Sequence, residues 1–178
     1  DRFLTVDSLG SASANFRLEG RYFSWPQAKT SVNAGIRQLF YKEHEYKDIT
    51  LQATLDKTHL RGTMVSKDPD APLDLVFRGD SLQQQYQVGL GGYIGKVDLQ
   101  ALHLMQEPLT MGLKVDLQGF IGEHSAYALK ARFDSLSMAD SRKTYTLGSL
   151  DIDMASDLKK TTLDVKTGDL QLTFRADT

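Results

Sequence analysis

The feature that most constrains this chain is a side-chain period of two that returns along nearly its whole length. At Met111, Leu113, Val115 and Leu117 apolar residues alternate with Gly112, Lys114, Asp116 and Gln118. Successive side chains of an extended strand point to opposite faces, whereas a helix gathers positions three and four apart. A run like this one therefore buries a single face only as a strand. The same alternation recurs at Ile49–Leu55, Leu60–Met64, Leu73–Phe77, Tyr86–Leu90, Tyr127–Phe133, Leu150–Met154, Leu163–Val165 and Leu170–Phe174, with Tyr145 and Leu147 as a shorter run. At Leu136 and Met138 the phase switches. Turn-forming residues stand between the runs: Asp56-Lys57-Thr58, Lys67 to Pro72, Gly79-Asp80, Gly91-Gly92, Glu107-Pro108, Ala139-Asp140-Ser141 and Gly168-Asp169. The pattern predicts an all-β chain of roughly ten to twelve strands in an antiparallel meander. Strands never alternate with helical segments, which argues against a parallel α/β fold.

Between Ile94 and Phe120 the pentapeptide Lys-Val-Asp-Leu-Gln occurs twice, at 96–100 and 114–118. The second copy lies in clean alternation. The first drifts from Val97 and Leu99 to Leu102 and Leu104, which predicts a bulge near Gln100-Ala101. Residues 3–9 and 14–24 are short alternating runs closed by Trp25-Pro26. From Thr30 the spacing changes: Val32, Ile36, Leu39 and Phe40 form the stripe of an amphipathic helix over about 30–42, capped by Thr30 or Ser31. Gly35 would cost that helix roughly 1 kcal/mol relative to Ala. The expected organisation is one unit over 1–178, with a strand pair and helix in 1–45 and the main meander in 46–178.

Composition removes several function classes. The 178 residues carry 21 basic and 23 acidic side chains spread along the chain, for a net charge of −2. Nucleic acid, which needs a clustered basic face, is not an expected partner. No apolar run is long enough to span a bilayer as a helix. There is no cysteine, so disulfides, thiolate metal sites and cysteine nucleophiles are excluded. The chain opens Asp-Arg-Phe and ends mid-pattern at Phe174–Thr178 without Pro or a Lys-rich edge, as a piece of a longer repeating β-structure would. Leucine is the surprise: 25 Leu stand against 13 Val plus Ile, the reverse of β-propensity. A Leu-rich dry core is the simpler reading of that bias, and a flexible apolar lining for a ligand is the other.

No catalytic motif emerges, and the chain reads as a non-enzyme without a cofactor. The histidines at 44, 59, 103 and 124 are isolated, with no pair at helical spacing, so no metal site is expected. His44 reads as part of a solvated helix end. The Asp68 to Asp74 segment looks like a calcium loop, but it lacks the central Gly and final Glu, and its prolines fit a hairpin connection. Gly89 to Gly95 precedes no helix and lacks the Lys-Ser/Thr of a phosphate loop, so a bulge or tight turn is expected there. Asp98, Asp116, Asp134, Asp151 and Asp153 read as the wet side of their strands.

With the pattern assembled, the segment from about Tyr46 to Ala176 resembles the C-terminal β-repeat region of the TamB/AsmA-like family, most closely its Bacteroidetes versions. The residues that carry the likeness are Tyr46 to Ala53, Ser66 to Leu75, and Ile94 to Leu104, with a DL-x-AL-x-L element at Asp98–Leu104. The resemblance implies a long sheet folded lengthwise into a taco-like groove with an apolar interior. It implies a role in outer-membrane biogenesis, in phospholipid transport or outer-membrane protein assembly. The implied place is the periplasm of a diderm bacterium, with an inner-membrane anchor in the full-length protein. The implied partners are a phospholipid or other acyl-chain lipid and an Omp85-family outer-membrane barrel. The helix at 30–42 departs from the family pattern and would cap one end of the groove.

The inward positions expected to line that groove are Ile49, Leu51, Leu55, Leu60, Met64, Leu75, Phe77, Val88, Leu90, Met111, Leu113, Val115, Leu117, Leu129, Phe133, Leu147, Ile152, Met154, Leu163, Val165, Leu172 and Phe174. Two other readings stay open at this level. One is a lipocalin-like barrel around a small hydrophobic ligand, against which the context Ser24-Trp25-Pro26 speaks. The other is a scaffold β-sandwich that binds proteins by strand addition at its edges.

Overall fold

A computed structural model describes residues 9–21, 27–41, 43–82, 85–122, 126–157 and 159–177. Eleven strands follow one another: β1 (Leu9–Arg21), β2 (Lys29–Tyr41), β3 (His44–Asp56), β4 (His59–Ser66), β5 (Leu73–Leu82), β6 (Gln85–Asp98), β7 (Thr110–Ile121), β8 (Tyr127–Ala139), β9 (Thr144–Ser156), β10 (Lys160–Thr167) and β11 (Leu170–Asp177). They form one sheet whose spatial order is the sequence order, every neighbour antiparallel. This is the expected meander. The described strands touch extensively only their sequence neighbours, and β1 and β11 do not pair. The sheet is therefore open and not a closed lipocalin-like barrel, and the described strands make one sheet and not the two of a sandwich.

Most turns fall where expected. Lys57-Thr58 joins β3 to β4, with Lys57 at φ 55°, and Gly168-Asp169 joins β10 to β11, with Gly168 at φ 52°. The left-handed conformation matches hairpin twist and is nearly free only for glycine. Gly79-Asp80 and Gly91-Gly92, by contrast, lie inside β5 and β6. Glycine weakens a strand without ending it, and here the ladder continues through both pairs. The run 3–8, the Trp25-Pro26 stop and His124 lie outside the described residues.

The segment 30–42 is not a helix: its described part belongs to β2. Val32, Ala34 and Ile36 keep strand phase, and the register between β1 and β2 then shifts at Ile36/Gln38, inserting one residue. Strand spacing of two, with one residue added at the bulge, puts the next apolar residue at Leu39. The stripe 32, 36, 39, 40 is thus an interrupted strand that mimics helical spacing. The phase change at Leu136 is another such case, and there the reading holds. A register shift lies between Gly112 and Lys114 on β7, opposite Ser135, which sits at φ 54°.

The expected bulge at Gln100-Ala101 lies a few residues earlier, between Ile94 and Val97. Residues 99–109 are instead a compact excursion between β6 and β7. Asp98 opens it like a helix cap: its Oδ1 accepts from the N–H groups of Gln100 and Ala101, both at 3.0 Å. The Leu102 N–H then reaches the Asp98 carbonyl at 3.1 Å, and Leu104 and Met105 both donate to the Leu99 carbonyl. Leu102 is buried at the centre of this turn. The drift from Leu99 to Leu102 that suggested a bulged strand is a single helical turn.

Candidate functional site: the apolar face

Directly opposed residues in an antiparallel ladder share a face, so the register turns the alternation of each strand into rows that cross the sheet. One row runs Leu18, Val32, Ala53, Gly62, Phe77, Leu90, Leu117, Ala131, Ile152, Val165 and Leu172. The next runs Gly20, Thr30, Leu55, Leu60, Gly79, Val88, Gly119, Leu129, Met154, Leu163 and Phe174. Both traverse all eleven strands without a charged side chain. With strands about 4.8 Å apart, each row is about 48 Å long. A shorter third row joins Phe16, Ala34, Leu51, Met64, Leu75, Gly92, Val115, Phe133 and Leu150. On the first strand pairs Ile49 faces Ile36; beyond the two bulges Met111 faces Met138, and Leu147 faces Leu136. The residues expected to line a groove are thus brought onto these rows or their continuation past the bulges.

The other face is polar. Arg132 lies between Asp116 and Asp151 in the ladder and contacts Asp134 at 3.1 Å and Asp151 at 3.7 Å. These carboxylates hold the Arg132 guanidinium above its ordinary pKa, Asp134 most strongly. Lys130 pairs with Asp153 at 3.8 Å. Asp116, Asp134, Asp151 and Asp153 are on the wet side, as alternation predicts. Asp98 follows Val97, which faces Met111, and its carboxylate also caps the turn after β6.

Among the described residues the apolar face is only partly covered: Val115 and Ala131 are buried on it, and most of its other residues keep part of their surface exposed. Among the described residues the buried apolar side chains are Ala28, Leu102, Leu113, Val115 and Ala131, a very small set for a chain of this length. Val88 is 53% exposed, Leu172 45% and Phe174 57%. The chain exposes 12948 Å², against about 8,700 Å² for a compact globular protein of this mass. Among the described residues the dry Leu-rich core that composition favours does not form. Leu and Met instead form a half-exposed apolar sheet surface, and a contiguous patch of this kind marks an interaction site on a soluble protein.

Small residues let the larger ones lie flat on this face. An added Cβ at Gly62 would stand 2.2 Å from the Phe77 ring, and one at Gly119 would stand 2.7 Å from a Val88 methyl. Gly92, at φ 147°, brings β6 so close to β5 that a Cβ would meet the Asp74 carbonyl oxygen at 2.1 Å.

At one end of the sheet the structure assembles a cluster that sequence spacing does not reveal. His44 begins β3 and is buried, not on a solvated helix end. Its Nδ1 lies 3.1 Å from the Ala101 carbonyl oxygen, and its Nε2 lies 3.6 Å from Asp68 Oδ2. Asp68, 1% exposed in the β4–β5 connection, accepts from the backbone N–H groups of Lys47 at 2.8 Å, Asp70 at 2.9 Å and Ala71 at 3.2 Å. Tyr46 packs edge-on against the His44 ring, and burial, then the Asp68 carboxylate, raise its hydroxyl pKa. The prolines of the 68–74 segment do shape a strand connection, as expected. The signal that was missed is partnership across the sheet, which no local motif encodes.

No family model, curated protein or solved structure matches this chain.

Proposed function

We propose that this chain shields acyl chains of lipids on its apolar sheet face, as a non-enzymatic segment of a periplasmic protein of a diderm bacterium. The observation that carries the reading is the pair of charge-free rows that cross all eleven strands and stay partly exposed along most of their length. Each methylene removed from water contributes about 0.8 kcal/mol, so an acyl chain is held there without specific polar contacts. The repetitive, half-exposed Leu and Met surface offers many similar positions, which suits a lipid that moves on rather than one that is stored. The resemblance at Tyr46–Ala53, Ser66–Leu75 and Asp98–Leu104 supports a TamB/AsmA-like assignment. It also supports a lengthwise-folded groove, an inner-membrane anchor in the full-length protein and an Omp85-family partner. In that setting the work done is phospholipid transport or outer-membrane protein assembly.

Extraction of the purified chain followed by mass spectrometry tests this reading. Phospholipid or free fatty acid should co-purify and exchange with labelled lipid in vesicles. A lipid-free chain that also fails to take up labelled lipid sinks it.

A second reading has its own support. β11 is exposed along its whole length and, like β1, has one unpaired edge among the described strands. Strand addition by a protein partner would use those edges and not the apolar face. Prolines placed along β11 separate the two: they remove protein binding under the second reading and leave lipid content intact.

A further inference from the structure

We propose that His44, Asp68 and Asp70 form a binding site for a divalent transition-metal ion, zinc foremost, independent of the apolar face. The three side chains come from the start of β3 and from the β4–β5 connection, at the same end of the sheet, and their candidate ligand atoms lie within 4.8 Å of one another. Hydrogen bonding fixes the histidine. The Ala101 carbonyl oxygen can only accept, so His44 Nδ1 donates to it at 3.1 Å. In the neutral ring Nε2 is then the acceptor nitrogen, its lone pair directed outward. Among the described residues Nε2 has no hydrogen-bond partner, and the ring is buried. What lies ahead of it, at 3.6 Å, is Asp68 Oδ2. Two electron-rich atoms held that close call for a positive species between them.

A metal ion fits the gap. With metal–nitrogen and metal–oxygen distances of about 2.0–2.2 Å, an ion touching both atoms subtends an angle of about 120°. The backbone bonds from Lys47, Asp70 and Ala71 orient the Asp68 carboxylate as a second shell orients a ligand. Asp70 supplies the third group: it is half-buried, and no hydrogen bond from the described residues reaches its carboxylate. Two carboxylates balance the charge of a divalent ion, and the imidazole selects zinc-like ions over calcium or magnesium. A proton on Nε2 is the competing occupant, but it would leave the Asp70 carboxylate without a role. The ion would clamp the start of β3, the β4–β5 connection and, through Ala101, the turn after β6.

The test is titration of the chelator-treated chain with zinc chloride by calorimetry and thermal melting, with cobalt(II) as a spectroscopic stand-in. One equivalent of zinc should bind saturably and raise the melting temperature, and cobalt should give visible d–d absorption. Asp70→Asn spares every backbone bond and should weaken binding at least tenfold without changing the metal-free melting temperature. His44→Gln should also lose the site. His59→Gln, at the exposed His59–Asp80 pair, should bind like the parent. Absence of saturable uptake overturns the proposal and leaves His44 and Asp68 as a structural contact only. Unchanged binding by Asp70→Asn also overturns it, as does loss of binding by His59→Gln alone.

Discussion

The Phe77 ring lies across Gly62 on the neighbouring strand, so that a Cβ at residue 62 would be 2.2 Å from the ring's Cζ. Aromatic cover of a strand glycine hides backbone that the glycine would otherwise leave bare. Gly62→Ala has to push the ring off its neighbour, and overpacking of this kind costs about 1–3 kcal/mol. Urea unfolding should report a loss in that range. Phe77→Leu in the same chain should restore part of it, because the shorter side chain clears the added methyl.

Charge placed on the apolar face should separate lipid binding from folding. Leu113 and Val115 are buried between their neighbours, and a carboxylate there threatens the sheet itself. Val88 and Leu172 sit on the two long rows but are half exposed. Val88→Glu and Leu172→Glu should leave the far-ultraviolet circular dichroism spectrum unchanged and sharply reduce co-purifying lipid. Lipid retained by the double variant would mean that it binds somewhere other than the face.

How much of this could be read from the sequence follows from what alternation encodes. A one-faced strand writes its period directly, so the meander, the number of strands and the apolar residues that share one face of the sheet were legible. A bulge adds one residue and leaves no composition signal. At Ser135 the flanking runs were long enough to expose the phase change; at Arg37 they were short, and Val32, Ile36, Leu39 and Phe40 imitated a helix. Whether the apolar rows meet a partner surface was not legible, because a closed core and an open face need the same pattern. His44 and Asp68 were illegible for another reason: strand pairing and the excursion after β6 bring them together, and neither belongs to a local motif.

Stability should fall on the acid side as hydrogen-bonded carboxylates in β5 and in two turns take up protons. Hydrogen bonds from Arg61 and then His59 lower the pKa of Asp80. Backbone N–H groups of Arg142 and Lys143 lower that of Asp140, and those of Lys159 and Lys160 that of Asp157. A carboxyl lowered in the folded state holds fewer protons there than in the unfolded chain. Its contribution is complete above the ordinary aspartate value near pH 4 and disappears as pH falls through the lowered folded value. The urea midpoint at fixed ionic strength should therefore drop below about pH 4. Asp140→Asn and Asp157→Asn keep a side-chain acceptor in each turn but cannot titrate, so together they should flatten that acid limb.

Asp68 should be the most sensitive polar position of the sheet. It is 1% exposed, and its two oxygens satisfy the backbone N–H groups of Lys47, Asp70 and Ala71. Asp68→Ala strands those donors in a buried connection, where each unsatisfied group costs about 1–3 kcal/mol. A total loss of about 3–5 kcal/mol is expected, the range for breaking a buried charged network. Asp68→Asn keeps one acceptor oxygen and can serve only one side of the turn, so it should cost about half as much. Because Asp68 ties β3 to the β4–β5 connection, the loss should be local before it is global. Hydrogen exchange should speed up first at Lys47, Asp70 and Ala71, while the amides of β8 and β9 stay protected. Equal acceleration across the whole sheet would show that Asp68 supports the fold generally and is not a clamp on this end.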